Sequence, residues 1–350
     1  MIILVIGTIV QKDIGLYQAQ MKYFSSWFFW LGPIPVPSAK PILGLILILL
    51  IIQFLFKTNF LNFKKMGISI AHLGSLLLLL GGVITNHYSE EGSMIIPEGE
   101  TTNYIQDYHR LELSITEADT EALPIIIEES KIKSNVLISD SKLPFTLRLV
   151  DFYSNSKFIT RENATENKDY IGFANRFKVI EEPRNLEDSD NQSALNFEIT
   201  TDSMIEKYSI VQNMPVIQSI SKNGKTYKIE LRNKRTYLPF SIQLIDFEKT
   251  FHPSSSLPKS FKSTIYMIDG EIKQRNIIKM NEPFRYKDYT FFQSSFSEGQ
   301  EGETTNLAVV KNYGRIFPYI SSIIICLGLL LHLFINSSQL FKKYNKARQL

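Results

Sequence analysis

Acidic residues are nearly absent from both ends of this 350-residue chain. Only Asp13 precedes position 90, and no aspartate or glutamate follows position 304. Residues 1–85 and 316–350 together carry ten basic residues and one acidic residue, whereas residues 86–315 carry 28 basic and 34 acidic residues. The formal net charge of +3 is therefore the sum of two unlike parts. This distribution excludes a uniformly basic nucleic-acid-binding protein.

Cysteine is also scarce, because Cys326 is the only one in the chain. A single thiol excludes an intrachain disulfide framework, a four-cysteine metal site and a CxxC redox motif. The middle segment has no nucleophile elbow, phosphate-binding glycine loop or HExxH pair, and its histidines, His87, His109 and His252, lack helix-face ligand spacing. We therefore assign no catalytic or metal-binding constellation to this segment and expect these histidines to be surface or hydrogen-bonded residues.

Three apolar segments, 41–56, 67–85 and 316–336, are candidates for membrane spans. They contain no acidic residue, lysine or arginine, and their only histidines are His72 and His332. A helix needs about 20 predominantly apolar residues to cross a hydrocarbon core of about 30 Å. A helix on the surface of a soluble protein would keep a polar face, which these segments lack. The pattern predicts a multi-pass α-helical membrane protein.

The first 40 residues contain an apolar stretch at 1–14 and an aromatic segment at 15–40. The apolar stretch is too short to cross as a helix and lacks the leading basic residues of a signal peptide. We interpret it as a partial first transmembrane span whose beginning is missing from this chain. The aromatic segment holds Trp27 and Trp30, and such side chains favour the membrane interface. We predict an interfacial helix there, ended by the prolines at 33, 35 and 37, with partner docking as the alternative.

Basic residues in short connections indicate the orientation, since they concentrate on the cytoplasmic side. The connection at 57–66 carries three lysines, and the tail at 337–350 carries four basic residues. Both are expected in the cytoplasm. The segments at 15–40 and 86–315 are then periplasmic, and the chain resides in a bacterial cytoplasmic (inner) membrane with its C-terminus inside.

The periplasmic segment at 86–315 alternates apolar and polar residues in short runs, which is typical of β-strands. The dipeptides Asn223-Gly224 and Asp269-Gly270 are strong signals for two-residue hairpin turns. We predict a large β-rich domain, built as a sandwich or an open barrel.

An internal repeat lies within this domain. The sequence LPFTLRLVDF at 143–152 and LPFSIQLIDF at 238–247 agree at six of ten positions. Each copy is predicted to be a strand with alternate residues facing a core, so the domain is expected to contain two related β layers. Asp151 and Asp246 close the two copies, and we interpret them as turn or edge-capping residues rather than as a metal or catalytic pair.

The two histidines of the apolar segments, His72 and His332, have a different status from the others. An ionisable group inside a span costs a few kcal/mol and is therefore usually functional, although an interhelical hydrogen bond is the alternative. Opposite directions of the two spans would place both imidazoles in one layer, about 6–8 Å inside the cytoplasmic boundary. Such a pair suits axial ligation of haem. Spacing alone does not distinguish haem from another metal or a proton site.

Several stretches together resemble one known family. They are GTIVQKDIGL at 7–16, YFSSWFFWLGPIP at 23–35, AHLGSLLLLLGG at 71–82, GSMIIPEGE at 92–100 and NEPFRYKDYTFFQSSF at 281–296. With the two LPF strands, they resemble the ResB-type (CcsB) proteins of system II cytochrome c biogenesis. The last stretch is the most specific signature, and the resemblance covers nearly the whole chain.

This resemblance implies a membrane subunit of the system II cytochrome c synthase. Such a subunit works with a ResC/CcsA-type polytopic partner to move haem across the membrane and attach it to apocytochrome c. It implies that His72, in the AHLG motif, is an axial ligand of haem b held transiently and shared with the partner. His332 is a possible second haem-proximal ligand on depth and chemistry alone. No catalytic residue and no metal beyond the haem iron is implied, and the chain by itself is expected to be an accessory subunit rather than an enzyme.

Two other classes of protein remain alternatives. One is a membrane-anchored envelope-assembly or sensor protein whose β domain binds a peptide or polymer. The other is a transporter subunit that uses the histidines as a proton relay, although the apolar segments offer no acidic partner for them.

Overall fold

The computed structural model describes residues 2–57, 63–118, 120, 123–161, 169–201, 204–253, 258–299 and 302–347. Within these residues the helices are α1 (Ile2–Ile14), α2 (Leu16–Gln20), α3 (Ala39–Lys57), α4 (Phe63–Tyr88), α5 (Phe173–Arg176) and α6 (Phe317–Ala347). The strands are β1 (Phe28–Leu31), β2 (Ile34–Pro37), β3 (Glu90–Pro97), β4 (Thr101–Glu117), β5 (Ile125–Glu128), β6 (Val136–Ile138), β7 (Thr146–Tyr153), β8 (Ser156–Thr160), β9 (Phe177–Glu181), β10 (Ala194–Thr201), β11 (Met204–Val211), β12 (Gln218–Lys222), β13 (Lys225–Phe251), β14 (Pro258–Asp269), β15 (Ile272–Lys279), β16 (Phe284–Tyr286), β17 (Tyr289–Gly299) and β18 (Gly302–Lys311). A β domain, from β3 to β18, therefore lies between α4 and α6.

The helices α3, α4 and α6 coincide with the three apolar segments predicted from the sequence. Each is long and apolar enough to cross a membrane, and most of its surface is exposed. Helix α1 has 13 residues, which span about 20 Å and fall short of a hydrocarbon core. The predicted cytoplasmic connection lies partly outside the described residues, because 58–62 are not among them, and the end of the predicted tail at 348–350 also lies outside.

The aromatic segment differs from the interfacial helix predicted for it. Helix α2 continues only as far as Ser25, through a π-helical turn, and the chain then forms the hairpin β1–β2. Pro33 lies in the hairpin turn, and the prolines at 35 and 37 lie in β2. Each strand of a two-stranded sheet has one edge that pairs with no other strand. Proline is tolerated in β2 because it needs no backbone N–H on that unpaired edge. Phe29 packs with Tyr23 and α1, whereas Trp30 is exposed.

The β domain has two hydrophobic cores joined by two long strands, β4 and β13. The distal core contains, among others, Leu113, Leu147, Leu149, Phe197 and Ile229. The second core contains, among others, Met94, Ile96, Ile242, Leu244 and Phe291. We call the two halves the distal lobe and the helix-linked lobe, because the second core includes the strands that join α4 and α6.

The distal lobe is a sandwich. Strands β11, β10, β7 and β6 form one sheet in that order. The opposing layer consists of β5, β12 and the halves of β4 and β13 that belong to this lobe. Apolar side chains alternate along these strands, so both sheets turn one face toward the same core. The β-rich character predicted for 86–315 is confirmed.

The helix-linked lobe is built from a single sheet. Its order is β15-β14-β13-β4-β3-β18-β17-β16. This half of the sheet is curved, and the side chains on its concave face form one core. They come from β3, β13, β14, β15, β17 and β18. Strands β3 and β18 pair antiparallel, with Glu90 opposite Lys311. This pairing brings the outgoing end of α4 and the start of α6 to one place.

The two LPF segments show the same inward pattern in different lobes. In 143–152 the buried residues are Leu143, Phe145, Leu147 and Leu149, and in 238–247 they are Leu238, Phe240, Ile242, Leu244 and Phe247. Each segment also has a register shift at the same position, at Val150 in β7 and at Ile245 in β13. A β-bulge bends its strand, so both copies bend just before their aspartate.

The predicted hairpin turns are confirmed. Asn223 and Gly224 connect β12 to β13, and both have positive φ, at 52° and 75°. Gly270, with φ of 60°, begins the turn between β14 and β15. Positive φ at these positions matches the right-handed twist of the strands, and glycine adopts it without steric cost.

A buried ion pair crosses the ribbon formed by β4 and β13. Arg232 is 7% exposed and Glu112 is 3% exposed. The Arg232 Nε donates to Glu112 at 2.9 Å, and its Nη1 donates to Glu230 at 2.8 Å. Burial lowers the pKa of Arg232, but both glutamates raise it, and the net direction is upward. Removing either buried partner would leave an uncompensated charge, which typically costs about 3–5 kcal/mol.

A partly exposed carboxylate connects the end of β14 to the β16–β17 hairpin. Asp269 accepts a hydrogen bond from Tyr286 Oη at 2.8 Å and pairs with Lys287 Nζ at 2.6 Å. These hydrogen bonds, first from Lys287 and then from Tyr286, lower the pKa of Asp269 below its ordinary value of 3.8. The contribution of this carboxylate to stability is therefore present above the ordinary value and is lost as pH falls through the lowered pKa.

The substitution Asp269→Asn tests this contact. We expect its thermal unfolding midpoint to lie below that of the wild type at pH 7 and the difference to shrink at pH 3. Below the ordinary pKa of 3.8 the unfolded wild type takes up a proton that the folded carboxylate resists, which reduces its stabilising contribution. Thermal unfolding of the purified chain in detergent at pH 7, 5 and 3 measures the effect. Asp288→Asn, in the adjacent turn, is the control and should show no such pH dependence. A deficit that is the same at all three pH values would contradict the assignment.

Candidate functional site

The helices α4 and α6 pack with their backbones almost in contact. A Cβ on Gly67 would lie 2.5 Å from the His332 backbone nitrogen, and a Cβ on Gly74 would lie 2.9 Å from the backbone oxygen of Ser321. On α6, a Cβ on Gly328 would lie 2.6 Å from the Ala71 backbone nitrogen. Small residues permit this approach, which is a common means of helix association in membranes. The stripe of small residues on α4 therefore fixes which face turns toward α6.

His72 lies on the opposite side of α4. It follows Gly67 by five residues and so projects about 140° away from that residue, at 100° per residue. Its Nδ1 is 3.5 Å from Gln53 Nε2 on α3, and the side chain is half-buried. The Nε2 atom of His72 makes no hydrogen bond with any of the described residues.

The polar pair of Gln53 and His72 is suited to orienting an imidazole. A histidine ligand usually donates its second ring N–H to a neighbouring group, which sets the tautomer and the ring plane. A half-turn of the Gln53 amide would present its oxygen to His72 Nδ1, and Nε2 would then carry its lone pair outward. The residues present at His72 thus fit an axial ligand of haem. No role for Gln53 is predicted from the sequence, although it is the one polar amide in its apolar segment.

His332 has a different environment. Its Nε2 is 2.8 Å from the Asn336 side-chain nitrogen, one helical turn away. Its Nδ1 is buried and lacks a hydrogen-bond partner within the described part of the chain. Its backbone lies against Gly67. One ring nitrogen is thus occupied and the other is enclosed, an arrangement that favours helix packing over ligation. The second-ligand role stays a prediction.

The backbones of His72 and His332 do not lie at the same level of the helix pair, although equal depth was expected from the sequence. His332 lies level with Gly67, five residues before His72 on α4, which corresponds to about 7.5 Å along the helix axis. The two side chains also belong to different interfaces, one toward α3 and one at the α4–α6 contact. Counting residues from the ends of the spans missed this offset, because the helices are staggered by their packing.

One further histidine, His109, is part of a cluster that sequence analysis missed. Its ring stacks on Tyr17 of α2 at 3.9 Å between centroids, and its Nδ1 lies 2.8 Å from Asp188. Asp188 also pairs with Arg184 at 2.5 Å. Burial, followed by the charges of Glu129, Asp188 and Asp107, raises the pKa of Tyr17. His109, which contacts Asp188 of the predicted loop, thus attaches the N-terminal segment to the β domain.

The signature at 281–296 is mainly a packing motif on its inner face. Tyr289 and Phe291 are buried in the core of the helix-linked lobe. Gln293 bonds with Ser263 at 2.7 Å and with Thr305 at 2.9 Å, and all three side chains are buried. These residues position β17 between its neighbours and provide no reacting group. The alternate residues of the signature face outward.

The fold and the histidine site together define a class of protein: a membrane protein with a two-lobed β domain inserted between two closely packed helices. Residues 206–305 match the model of the ResB-like family. Protein NrfI of Wolinella succinogenes is 23% identical over 335 residues, which are 94% of this chain and 32% of that protein. The chain spans about a third of the length of this relative. These matches support the resemblance of the chain to ResB-type proteins.

The substitution Gly67→Ala tests the contact that places both histidines. The added methyl would lie 2.5–2.7 Å from the backbone of α6, so we expect a lower thermal unfolding midpoint in detergent. Gly82→Ala is the matched control, because nothing lies within 4 Å of its Cβ position. Equal midpoints for the two variants would mean that α4 and α6 do not pack through this stripe.

Proposed function

We propose that this chain is a membrane subunit of the system II cytochrome c synthase. It would assist delivery of haem and its attachment to apocytochrome c, together with a ResC/CcsA-type polytopic partner. The observation that carries the proposal is the half-buried His72, with Nε2 unbonded among the described residues, in a ResB-type chain. Haem is the cargo in this scheme, and attachment to the client would take place largely at the partner.

The orientation of the chain supports this role. The lysine-bearing start of α4 and the lysine-bearing end of α6 lie at the same end of the helix pair, because α4 and α6 run antiparallel. Basic residues accumulate on the cytoplasmic side. The proposed arrangement puts these ends in the cytoplasm and the β domain in the periplasm of a bacterial inner membrane, so that haem passes His72 on its way outward.

Helix α3 provides the surface for the partner. In its apolar window of 18 residues none is buried inside this chain. Beside it, Gln53 and His72 form a polar pair that is costly to leave facing lipid. A second polytopic protein packed against α3 and α4 would cover this pair and could provide the other axial ligand. This arrangement explains why His72 faces away from α6.

Co-purification with a ResC/CcsA-type partner tests the proposal. We expect His72→Ala to lower the haem retained by the complex at least about tenfold, the scale seen when even an indirect metal contact is lost. Absorption spectra of the purified complex measure haem, and haem staining of exported cytochrome c measures maturation. His332→Ala should have a smaller effect, because its ring nitrogens are already enclosed or bonded. Imidazole added to the His72→Gly complex should restore part of the Soret absorbance.

Two outcomes would contradict this function. Unchanged haem and cytochrome c maturation in the His72→Ala complex would remove the ligand role. A wild-type complex without a Soret band would instead favour the envelope-assembly alternative, in which the spans only anchor the β domain and any apolar residue is tolerated at position 72.

A further inference from the structure

The outward face of the signature strand β17 forms one wall of a cavity at the start of α6. This cavity has a volume of about 530 Å³. Its lining residues are Arg285, Thr290, Phe292, Val310, Asn312, Arg315, Ile316 and Tyr319. Helix α6 begins at Phe317, so the cavity lies where the β domain meets the membrane-spanning part of the chain. We call it the junction cavity.

The strand register explains how the cavity forms. Arg285 of β16 pairs with Thr290 of β17, and Thr290 pairs with Val310 of β18. Directly opposed residues of neighbouring strands share one face of a sheet, so these three form a row across the sheet. Phe292 follows Thr290 by two residues and therefore lies on the same face. The core-facing side chains belong to the alternate positions, such as Phe291.

The cavity contains positive charge that is not neutralised. Neither Arg285 nor Arg315 forms an ion pair within the described residues, and the lining contains no acidic side chain. The two guanidinium groups come from different elements, one from β16 and the other from the connection between β18 and α6. Arginine is the side chain best suited to bind a phosphate group, because its planar donors can engage two oxygens at once.

Three of the other lining residues are apolar or aromatic and exposed. Phe292 is 41% exposed, Ile316 is 54% exposed and Tyr319 is 74% exposed. The exposed apolar surface continues along α6 through Ile320 and Ile323. A molecule that binds here would thus meet positive charge at one end and an apolar helix face at the other.

We propose that the junction cavity binds the headgroup of an anionic phospholipid from the leaflet on the β-domain side. The phosphate would accept hydrogen bonds from Arg285 and Arg315, and the acyl chains would continue along the exposed face of α6. Tyr319 would lie at headgroup depth, where tyrosine is enriched. Such a lipid would hold the helix-linked lobe against the membrane surface. This site is independent of haem binding at His72.

Phosphatidylglycerol and phosphatidylcholine serve as probes. The purified chain in a neutral detergent is mixed with equal amounts of the two lipids, and the lipids retained are counted by native mass spectrometry. We expect the wild type to retain more phosphatidylglycerol than phosphatidylcholine. Because each surface cation contributes about fivefold to binding of anionic lipid, the variant carrying Arg285→Gln and Arg315→Gln should lose about 30-fold.

Arg275→Gln is the matched control. Arg275 is also exposed and lacks an ion pair among the described residues, but it lies on β15 outside the cavity. This variant should keep the preference for phosphatidylglycerol. A loss equal to that of the double variant would show that only overall charge matters and would overturn the site. Thermal unfolding of each variant verifies that the fold is intact, which is expected because both cavity arginines are exposed.

Two other results would also overturn the proposal. One is equal retention of the two lipids by the wild type. The other is a cavity that binds haem instead, seen as a haem absorbance band that disappears in the double variant while lipid retention stays unchanged. Haem loss in the His72→Ala complex is a separate readout, so this proposal and the proposed function can fail independently.

Discussion

The close contact between α4 and α6 is the interaction on which the rest of the structure depends. Glycines on both helices let the backbones approach, and the contact runs directly into the β3–β18 ladder, where Glu90 lies opposite Lys311. The antiparallel helix pair α4 and α6 therefore continues directly into the antiparallel strand pair β3 and β18. Because both ends are joined in this way, the orientation of the helix-linked lobe relative to the helices is set by packing rather than by a linker.

This contact also determines what each histidine can do. The face of α4 that carries Gly67 is taken up by α6, so His72 must face elsewhere and meets Gln53 on α3. His332 lies at the contact itself, where its backbone touches Gly67 and its ring is partly enclosed. An imidazole that is to bind a haem shared with a second protein has to lie on a helix face that no other helix covers. In the proposed function only His72 meets this requirement.

The signature at 281–296 serves two purposes on the two faces of one strand. Its inward residues, including Phe291 and Gln293, hold the core of the helix-linked lobe and its buried hydrogen bonds. Its outward residues, including Arg285 and Phe292, line the junction cavity beside α6. One strand thus contributes its inward side chains to the core and its outward side chains to the cavity.

The sequence by itself determined the features that depend on composition and local periodicity. An apolar run such as 67–85 can be buried only in lipid or in a helix bundle. The dipeptide Asn223-Gly224 required a tight turn. The alternation in LPFTLRLVDF required a strand with one buried face. The tertiary structure alone decided the partners of His72, the 7.5 Å offset of His332 and the β hairpin in place of a proline-ended helix. Those features depend on contacts between segments that are far apart in the chain. No local sequence pattern encodes how such segments are shifted along one another or which faces they turn toward each other.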